Sequence, residues 1–281
     1  MRILLFFTCL IFPALCLAKE DYAGPKPTIR GEWVQGGILF GKTEPGTEVE
    51  FMGIKVPATL EGEFVIGLGR DAEPQAELAT VNAKGVKQTF FYDIQKREYN
   101  IQRIEGVKQK HVTPPQSVLE RISKEAAQVR EARALVDDRA DYLEEFVWPL
   151  RGAITGVYGS QRVYNGVPKS PHYGIDIAGP TGAPVIAPAP GLVSFAAADL
   201  YYSGGTLIVD HGHGLSSTFI HLNKVLVKAG QRVEKGQIIA EVGASGRATG
   251  PHLDWRMNWM GVRVDPGLLM KNKPMEPNNA R

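Results

Sequence analysis

Eight residues near the C-terminus, HLDWRMNW at 252–259, alternate without a break between polar and apolar side chains. Only an extended strand turns that spelling into two faces, because successive side chains on a strand point to opposite sides. One face would carry His252, Asp254, Arg256 and Asn258; the other would carry Leu253, Trp255, Met257 and Trp259. The second set is a core stripe, so the strand must lie on a packed interior while its polar row faces water or a site. On such a strand the Cα atoms of His252 and Asp254 are about 6.7 Å apart, close enough to converge on one ion or one substrate group.

The surroundings of that strand are of the same kind. From about Val147 onward the chain is rich in Gly and β-branched residues, with turn signals at TGAP, APAPG, YSGG, HGHG and VKAGQRVEKGQ. This spelling predicts many short strands and no long helix. Residues 25 to about 100 also read as strands. GTEVEFMG places Thr47, Val49 and Phe51 on one face, and GEFVIGL does the same with Phe64, Ile66 and Leu68. A small antiparallel sandwich, of immunoglobulin-like type, is expected there. Between the two, from Ser117 to about Phe146, the composition turns to Ala, Glu, Arg and Leu. Leu119, Ile122, Ala126 and Val129 fall at helical spacing, Ser117 is placed to cap, and Glu120 with Lys124 forms an i,i+4 pair. The helix is expected to pack between or beside the two modules.

The first residues, MRILLFFTCLIFPALCLAKE, have one Arg, an apolar run from Ile3 to Leu17 and a small residue at Ala18. They read as a secretory signal peptide cleaved after Ala18, with export to a periplasmic or extracellular location and no membrane span afterwards. Both cysteines, Cys9 and Cys16, fall inside it, so apolar cores or a metal must stabilise the rest. Leu15, ahead of Cys16, argues against a lipid anchor. Without Arg2 the basic and acidic residues number 31 and 30, a balance that gives no support to a nucleic-acid or anionic-membrane partner. The expected organisation is a signal at 1–18, the sandwich at 25–100, a linker with a helix at 101–146, a second β domain at 147–268 and a polar tail at 269–281.

Five of the six histidines lie between 172 and 252. HYGID offers His172 and Asp176. A straight strand would hold them roughly 13 Å apart, so they meet only if the chain bends, as Gly174 permits. STFIHL offers His221, which strict alternation puts on the face of Ser217 and Phe219. Two imidazoles and two carboxylates suffice for metal-assisted hydrolysis. A catalytic zinc takes three protein ligands and a water, lowers that water's pKa and polarises a carbonyl, and further histidines move protons. Spacing alone leaves open which residue binds and which catalyses.

Taken together, HYGIDIAGPTGAPVIAPAPGLV, GGTLIVDHGHGLSSTFIHL and VKAGQRVEKGQIIAEVGASGRATGPHL resemble, in order and spacing, the lysostaphin-type, LytM-like zinc metallopeptidases that cut peptidoglycan cross-links. The resemblance covers roughly residues 147–268. It implies a compact antiparallel β domain with a groove across it, inside a chain that is mainly β. It makes His172 and Asp176 the first two zinc ligands, and His221 and His252 the residues that assist water and transition state. His211 and His213 fall at a hairpin turn.

The departure from the family is Asp254, where HxH would supply a second histidine as third ligand. Carboxylate is an accepted zinc ligand, so Asp254 is expected to take that place. The added negative charge should make the bound water less acidic and the site more tolerant of manganese. Arg256 and Asn258, farther along the polar face, are candidates for substrate contact, with salt-bridged surface residues as the plainer alternative. The implied function is an exported zinc endopeptidase acting on peptidoglycan stem peptides or cross-bridges, with the N-terminal module available to dock other cell-wall enzymes. The competing reading is a LytM-like regulator that has lost its metal and binds peptidoglycan or activates other hydrolases. APAPGLV with VKAGQRVEKGQIIAEVG also looks like the hybrid barrel of lipoyl and biotinyl carriers and of membrane-fusion adaptors. That reading lacks a Lys in a Met-Lys-Met-like setting and leaves the histidines unexplained.

Overall fold

A computed structural model describes residues 26–105, 116–272 and 274. The expected signal segment at 1–18 and most of the expected tail lie outside the described residues. Seven strands occupy the N-terminal part: β1 (Thr28–Arg30), β2 (Ile38–Lys42), β3 (Glu48–Phe51), β4 (Ile54–Val56), β5 (Glu63–Gly67), β6 (Gln75–Val81) and β7 (Lys87–Asp93). They form two antiparallel sheets, ordered β1-β2-β5 and β4-β3-β6-β7. Thr47, Val49 and Phe51 are buried together, as alternation requires. On β5 the alternation fails, because Val65 is buried as well as Phe64 and Ile66. The reason is that β5 is covered from outside. Tyr142 stacks on Phe40 of the neighbouring strand, and its hydroxyl donates to the Glu63 carbonyl (3.1 Å).

After β8 (Ile101–Ile104) comes the single α-helix of the described residues, α1 (Leu119–Ala132). It is shorter than the composition change suggested, and the chain from Arg133 to Phe146 is mostly irregular. Ser117 does not cap it: the residue at the helix start is Val118, without a side-chain cap. The i,i+4 bridge that forms is Arg121–Glu125, at 2.6 Å. The helix lies on the C-terminal domain, where Arg121 reaches Asp199, Glu125 accepts from the Tyr201 backbone N–H and Arg133 reaches Thr218.

The C-terminal domain contains β9 (Ile154–Gly156), β10 (Gln161–Tyr164), β11 (Val167–Pro168), β12 (Gly174–Ala178), β13 (Pro184–Ile186), β14 (Gly191–Leu200), β15 (Gly204–Asp210), β16 (Leu215–Leu222), β17 (Lys224–Val225), β18 (Arg232–Val233), β19 (Ile238–Glu241), β20 (His252–Trp259) and β21 (Val262–Val264). The main sheet runs β18-β14-β15-β16-β20-β12-β9, with β21 also on β20, and β13-β19-β17 make a smaller one. Leu253, Trp255, Met257 and Trp259 are all buried, so the alternation of 252–259 is realised in full. Among the named strands of the described residues, one pairing is parallel. The strand β8 runs parallel to β10, which ties the segment after the sandwich into the C-terminal domain. No helix of the described residues is long and apolar enough to cross a membrane.

His211 and His213 sit at the hairpin between β15 and β16 and are fully buried. His211 Nδ1–H donates to the Pro190 carbonyl (2.6 Å), and Nε2 accepts from the Ser217 hydroxyl (2.9 Å), whose oxygen also receives Trp255 Nε1–H (3.3 Å). The ring is thus neutral and fully partnered. Burial pulls its pKa down to about 4. The unfolded chain takes up this proton near pH 6.5 and the folded one only near 4, so stability is lost as pH falls through that window. Against His211→Gln, the wild type should lose on the order of 3 kcal/mol more between pH 7 and 4, read from urea midpoints. The neighbouring Asp210 carboxyl, raised to about 6 by burial, acts in the opposite sense, and the comparison of the two proteins cancels it.

Candidate metal centre

The strands β12 and β20 pair so that Asp176 lies directly opposite Asp254. Residues opposite one another in an antiparallel pair share a face, so two carboxylates are pressed together there, which is unfavourable without a cation between them. Gly174, opposite Arg256, makes room for this. A Cβ at Gly174 would meet Arg256 Cγ at 2.6 Å and the Trp255 carbonyl oxygen at 2.7 Å, and it would run into Asp254 Oδ1. The bend that brings His172 to Asp176 comes before the strand. There the His172 N–H donates to Ser160 O (2.8 Å), and the Gly159 N–H donates to His172 O (2.7 Å). This loop is held from outside by the sandwich module: Arg70 Nε donates to Gly159 O (2.9 Å), and the Tyr99 ring lies against Gly159.

His172, Asp176 and Asp254 each offer a ligand atom, all within 4.8 Å of one another. His172 Nδ1–H donates to the Val157 carbonyl (3.2 Å), which fixes the tautomer and leaves Nε2 for the cluster. Nε2 lies 3.1 Å from Asp176 Oδ1 and 3.2 Å from Asp254 Oδ2. Burial pulls the His172 pKa down, but hydrogen bonds and Coulombic attraction from the two carboxylates outweigh it and push the ring up to about 10. The two carboxylates thus favour positive charge at this point.

Asp176 Oδ1 carries the fit to a metal ion. It is buried, 3.1 Å from His172 Nε2 and 3.7 Å from His252 Nε2, with no further hydrogen-bond donor among the described residues. A buried carboxylate oxygen between imidazole nitrogens, with a second carboxylate opposite, suits a borderline or hard divalent ion, zinc included.

Arg256 is engaged by Asp254. Its Nε–H donates to Asp254 Oδ1 (2.9 Å) and its Nη2–H to Asp254 Oδ2 (2.5 Å), the oxygen that His172 Nε2 also approaches. Burial disfavours the Asp254 charge, yet Arg256 and His172 together hold its pKa well below the usual carboxylate range. The pairing changes the expected charge balance. One extra carboxylate and one extra guanidinium cancel, so the centre carries the same formal charge as one with histidine at 254. A less acidic water no longer follows from Asp254 alone.

His221 departs from strict alternation. Ile220, not His221, lies opposite Asp254, while Phe219 faces Trp255 on the core side. A straight strand would send His221 into that core. Instead its φ is +65°, a left-handed conformation that costs an L residue about 1–2 kcal/mol and turns the ring back toward the groove. Its Nδ1–H donates to Ser245 O (2.9 Å), and His252 Nδ1–H donates to Gly250 O (2.8 Å), so both rings keep Nε2 for chemistry. The rings lie 5.0 Å apart. Burial lowers the His221 pKa and keeps the ring neutral. His211 and His213 are outside this group. Asn258 lies two residues beyond Arg256 on the same face. The sequence reading missed Arg133, which reaches Thr218, the residue opposite Arg256, from the end of α1.

The profile of Peptidase family M23 matches residues 170–266, a span that contains every residue of this centre. Residues 170–266 are a peptidase family M23 domain. A crystal structure of an M23 peptidase candidate from Pseudomonas aeruginosa superposes with a TM-score of 0.66 at 28% identity, over 85% of this chain and 95% of that one. The M23 domain is 43% identical over 96 residues to an uncharacterized metalloprotease of Haemophilus influenzae, covering 34% of this chain and 20% of the relative. It is 38% identical over 110 residues to the peptidoglycan DD-endopeptidase ShyB of Vibrio cholerae, covering 39% and 23%. The matched region thus spans about a fifth to a quarter of these curated relatives.

Proposed function

We propose that this chain is an exported, zinc-dependent endopeptidase that hydrolyses peptide cross-links in peptidoglycan. The observation that carries the reading is the convergence of His172, Asp176 and Asp254, whose ligand atoms lie within 4.8 Å of one another, with the two rings of His221 and His252 at its edge. The relatives named as a metalloprotease and a DD-endopeptidase support the substrate class, and the apolar run at residues 3–17 supports export.

His172, Asp176 and Asp254 would hold the ion through Nε2 and carboxylate oxygens. A divalent ion bound there supplies an acidified water and polarises the scissile carbonyl. His221, neutral and anchored through Nδ1–H, takes the proton of the attacking water at Nε2. His252 Nε2 faces the same space; with Nδ1–H already given to Gly250 O, it would donate a hydrogen bond to the oxygen on which negative charge develops when the ring carries a second proton. His221→Ala should therefore lower kcat by about a hundredfold to ten-thousandfold while zinc content, measured by mass spectrometry of the metal, stays at one ion per chain.

The direct test is mass spectrometry of muropeptides after incubation of purified sacculi with the zinc-loaded full chain. Cross-linked dimers should disappear as monomers accumulate, and a chelator should stop the reaction. A second reading, a regulator that binds peptidoglycan without cutting it and docks other hydrolases through the sandwich module, draws on Arg256, a fixed cation already seated on Asp254. Unchanged sacculi, with no zinc retained by the chain, would decide for it.

A further inference from the structure

Beyond the ligand group, the same face of the main sheet continues as two rows of side chains. Thr218 and Arg256 form the first, across β16 and β20; Ser216, Asn258 and Arg263 form the second, across β16, β20 and β21. In the second row the hydrogen-bonding capacity is unspent. Ser216 and Asn258 are each 1% exposed, and Ser216 Oγ, Asn258 Nδ2 and Arg263 Nη1 are buried without a partner. Buried polar groups in native folds are seldom left so, because each has given up water for nothing.

The charges are equally unbalanced. Arg133 arrives from the end of α1, half-buried, and spends Nε and Nη2 on the single hydroxyl of Thr218 (3.3 and 3.1 Å). Arg263 meets the edge of the group against the Tyr173 ring. Of the three guanidiniums, Arg256 alone has a carboxylate, Asp254; among the described residues no ion pair reaches Arg133 or Arg263. Burial, reinforced by the charges of the other arginines, depresses the pKa of Arg133 and of Arg263. Two cations without ion-pair partners, Arg133 on Thr218 and Arg263 beside Asn258, therefore lie on neighbouring rows of one face with an amide NH₂ and a hydroxyl, every one able to donate and none supplied with an anion.

We propose that Arg133, Arg263, Asn258 and Ser216 form a subsite for a carboxylate of the substrate peptide. A guanidinium fork matches the two oxygens of a carboxylate, and the floor donors fit their remaining lone pairs. Asn258 lies four residues along β20 from Asp254, about 13 Å on a strand, which an extended peptide spans in about four residues. The recognised group is thus a free carboxylate a few residues from the bond that is cut. This assignment rests on the peptidase reading for the identity of the peptide, but not for the existence of the site. It gives α1 a task, delivery of Arg133 to the groove.

The test is calorimetric binding of a purified cross-linked muropeptide, and of the same compound with its carboxyls amidated, to the full chain in excess chelator, where no cleavage occurs. The acid form should bind at least tenfold more tightly. Arg263→Gln and Arg133→Gln should each weaken it by about tenfold to a hundredfold and leave the amidated form unchanged. Each variant removes an uncompensated charge, so each should melt no lower than the wild type. The two residues lie on separate elements, and the comparison of acid with amide in the wild type needs neither variant. Equal affinity for the two ligands, or an acid preference that survives the double variant, overturns the subsite. Acid preference in a protein that leaves sacculi intact after zinc is added keeps the subsite and overturns the peptidase reading instead.

Discussion

Asp254→Ala should lower zinc affinity by at least about a hundredfold, since loss of an outer-shell partner alone costs ten- to a hundredfold, and peptidase activity should fall with it. The alanine does two kinds of damage. It removes one of three ligand atoms, and it releases Arg256, whose guanidinium then faces the ion with no carboxylate between them. Repulsion between unit charges at 4 Å is on the order of 4 kcal/mol at an effective dielectric constant of 20. The same argument makes Asp254→His weaker than a count of ligands suggests, because a histidine restores the ligand but not the counter-charge. Asp254→His combined with Arg256→Gln should recover zinc binding to within about tenfold of the wild type, a strongly non-additive pair. Competition titration with a chelator reads all three. Undiminished zinc content in Asp254→Ala would remove Asp254 from the ligand set.

Trp259→Ala should destabilise the whole chain by about 3–5 kcal/mol. Trp259 belongs to β20, yet its ring meets Phe51 of the sandwich edge-on, with centroids 6.0 Å apart. Its Cβ lies so near Gly67 that a methyl there would come within 2.9 Å. Arg97 reinforces this joint with a bridge to Asp265 at 2.8 Å, and Tyr158 donates to Arg263 O at 2.8 Å. Buried apolar residues of both modules form one continuous core. Calorimetry on the wild type should then give one transition whose calorimetric and van't Hoff enthalpies agree. Two separated transitions would show that the joint carries little. It also follows that residues 147–281 on their own would expose Trp259 and Val264, making the full chain the right object for assays.

What could be read from the sequence was whatever depends on side-chain period and neighbour spacing. The two faces of 252–259, the buried triplet Thr47, Val49 and Phe51, and the need for a bend between His172 and Asp176 are all local consequences of strand geometry. The Asp254–Arg256 pair was legible in principle too, since opposite charges two apart on one strand face stand side by side. Other features came from contacts far along the chain. The left-handed turn at His221 overrides alternation and has no signal in STFIHL. Val65 is buried because Tyr142 covers it, and α1 ends at Ala132 although helix-forming residues continue. Arg133 gave no local hint, because its meaning comes from Thr218, 85 residues away.

The outer wall of the His172 loop has a consequence for how such proteins diversify. Arg70 and Tyr99 grip Gly159, Gly159 grips His172, and β8 is woven alongside β10 immediately next to them. A domain that borrows part of its frame from its neighbour is a poor cassette for recombination. Moved alone into a new chain, it would arrive with His172 on an unsupported loop, so inheritance should favour the sandwich and the M23 domain travelling as one piece.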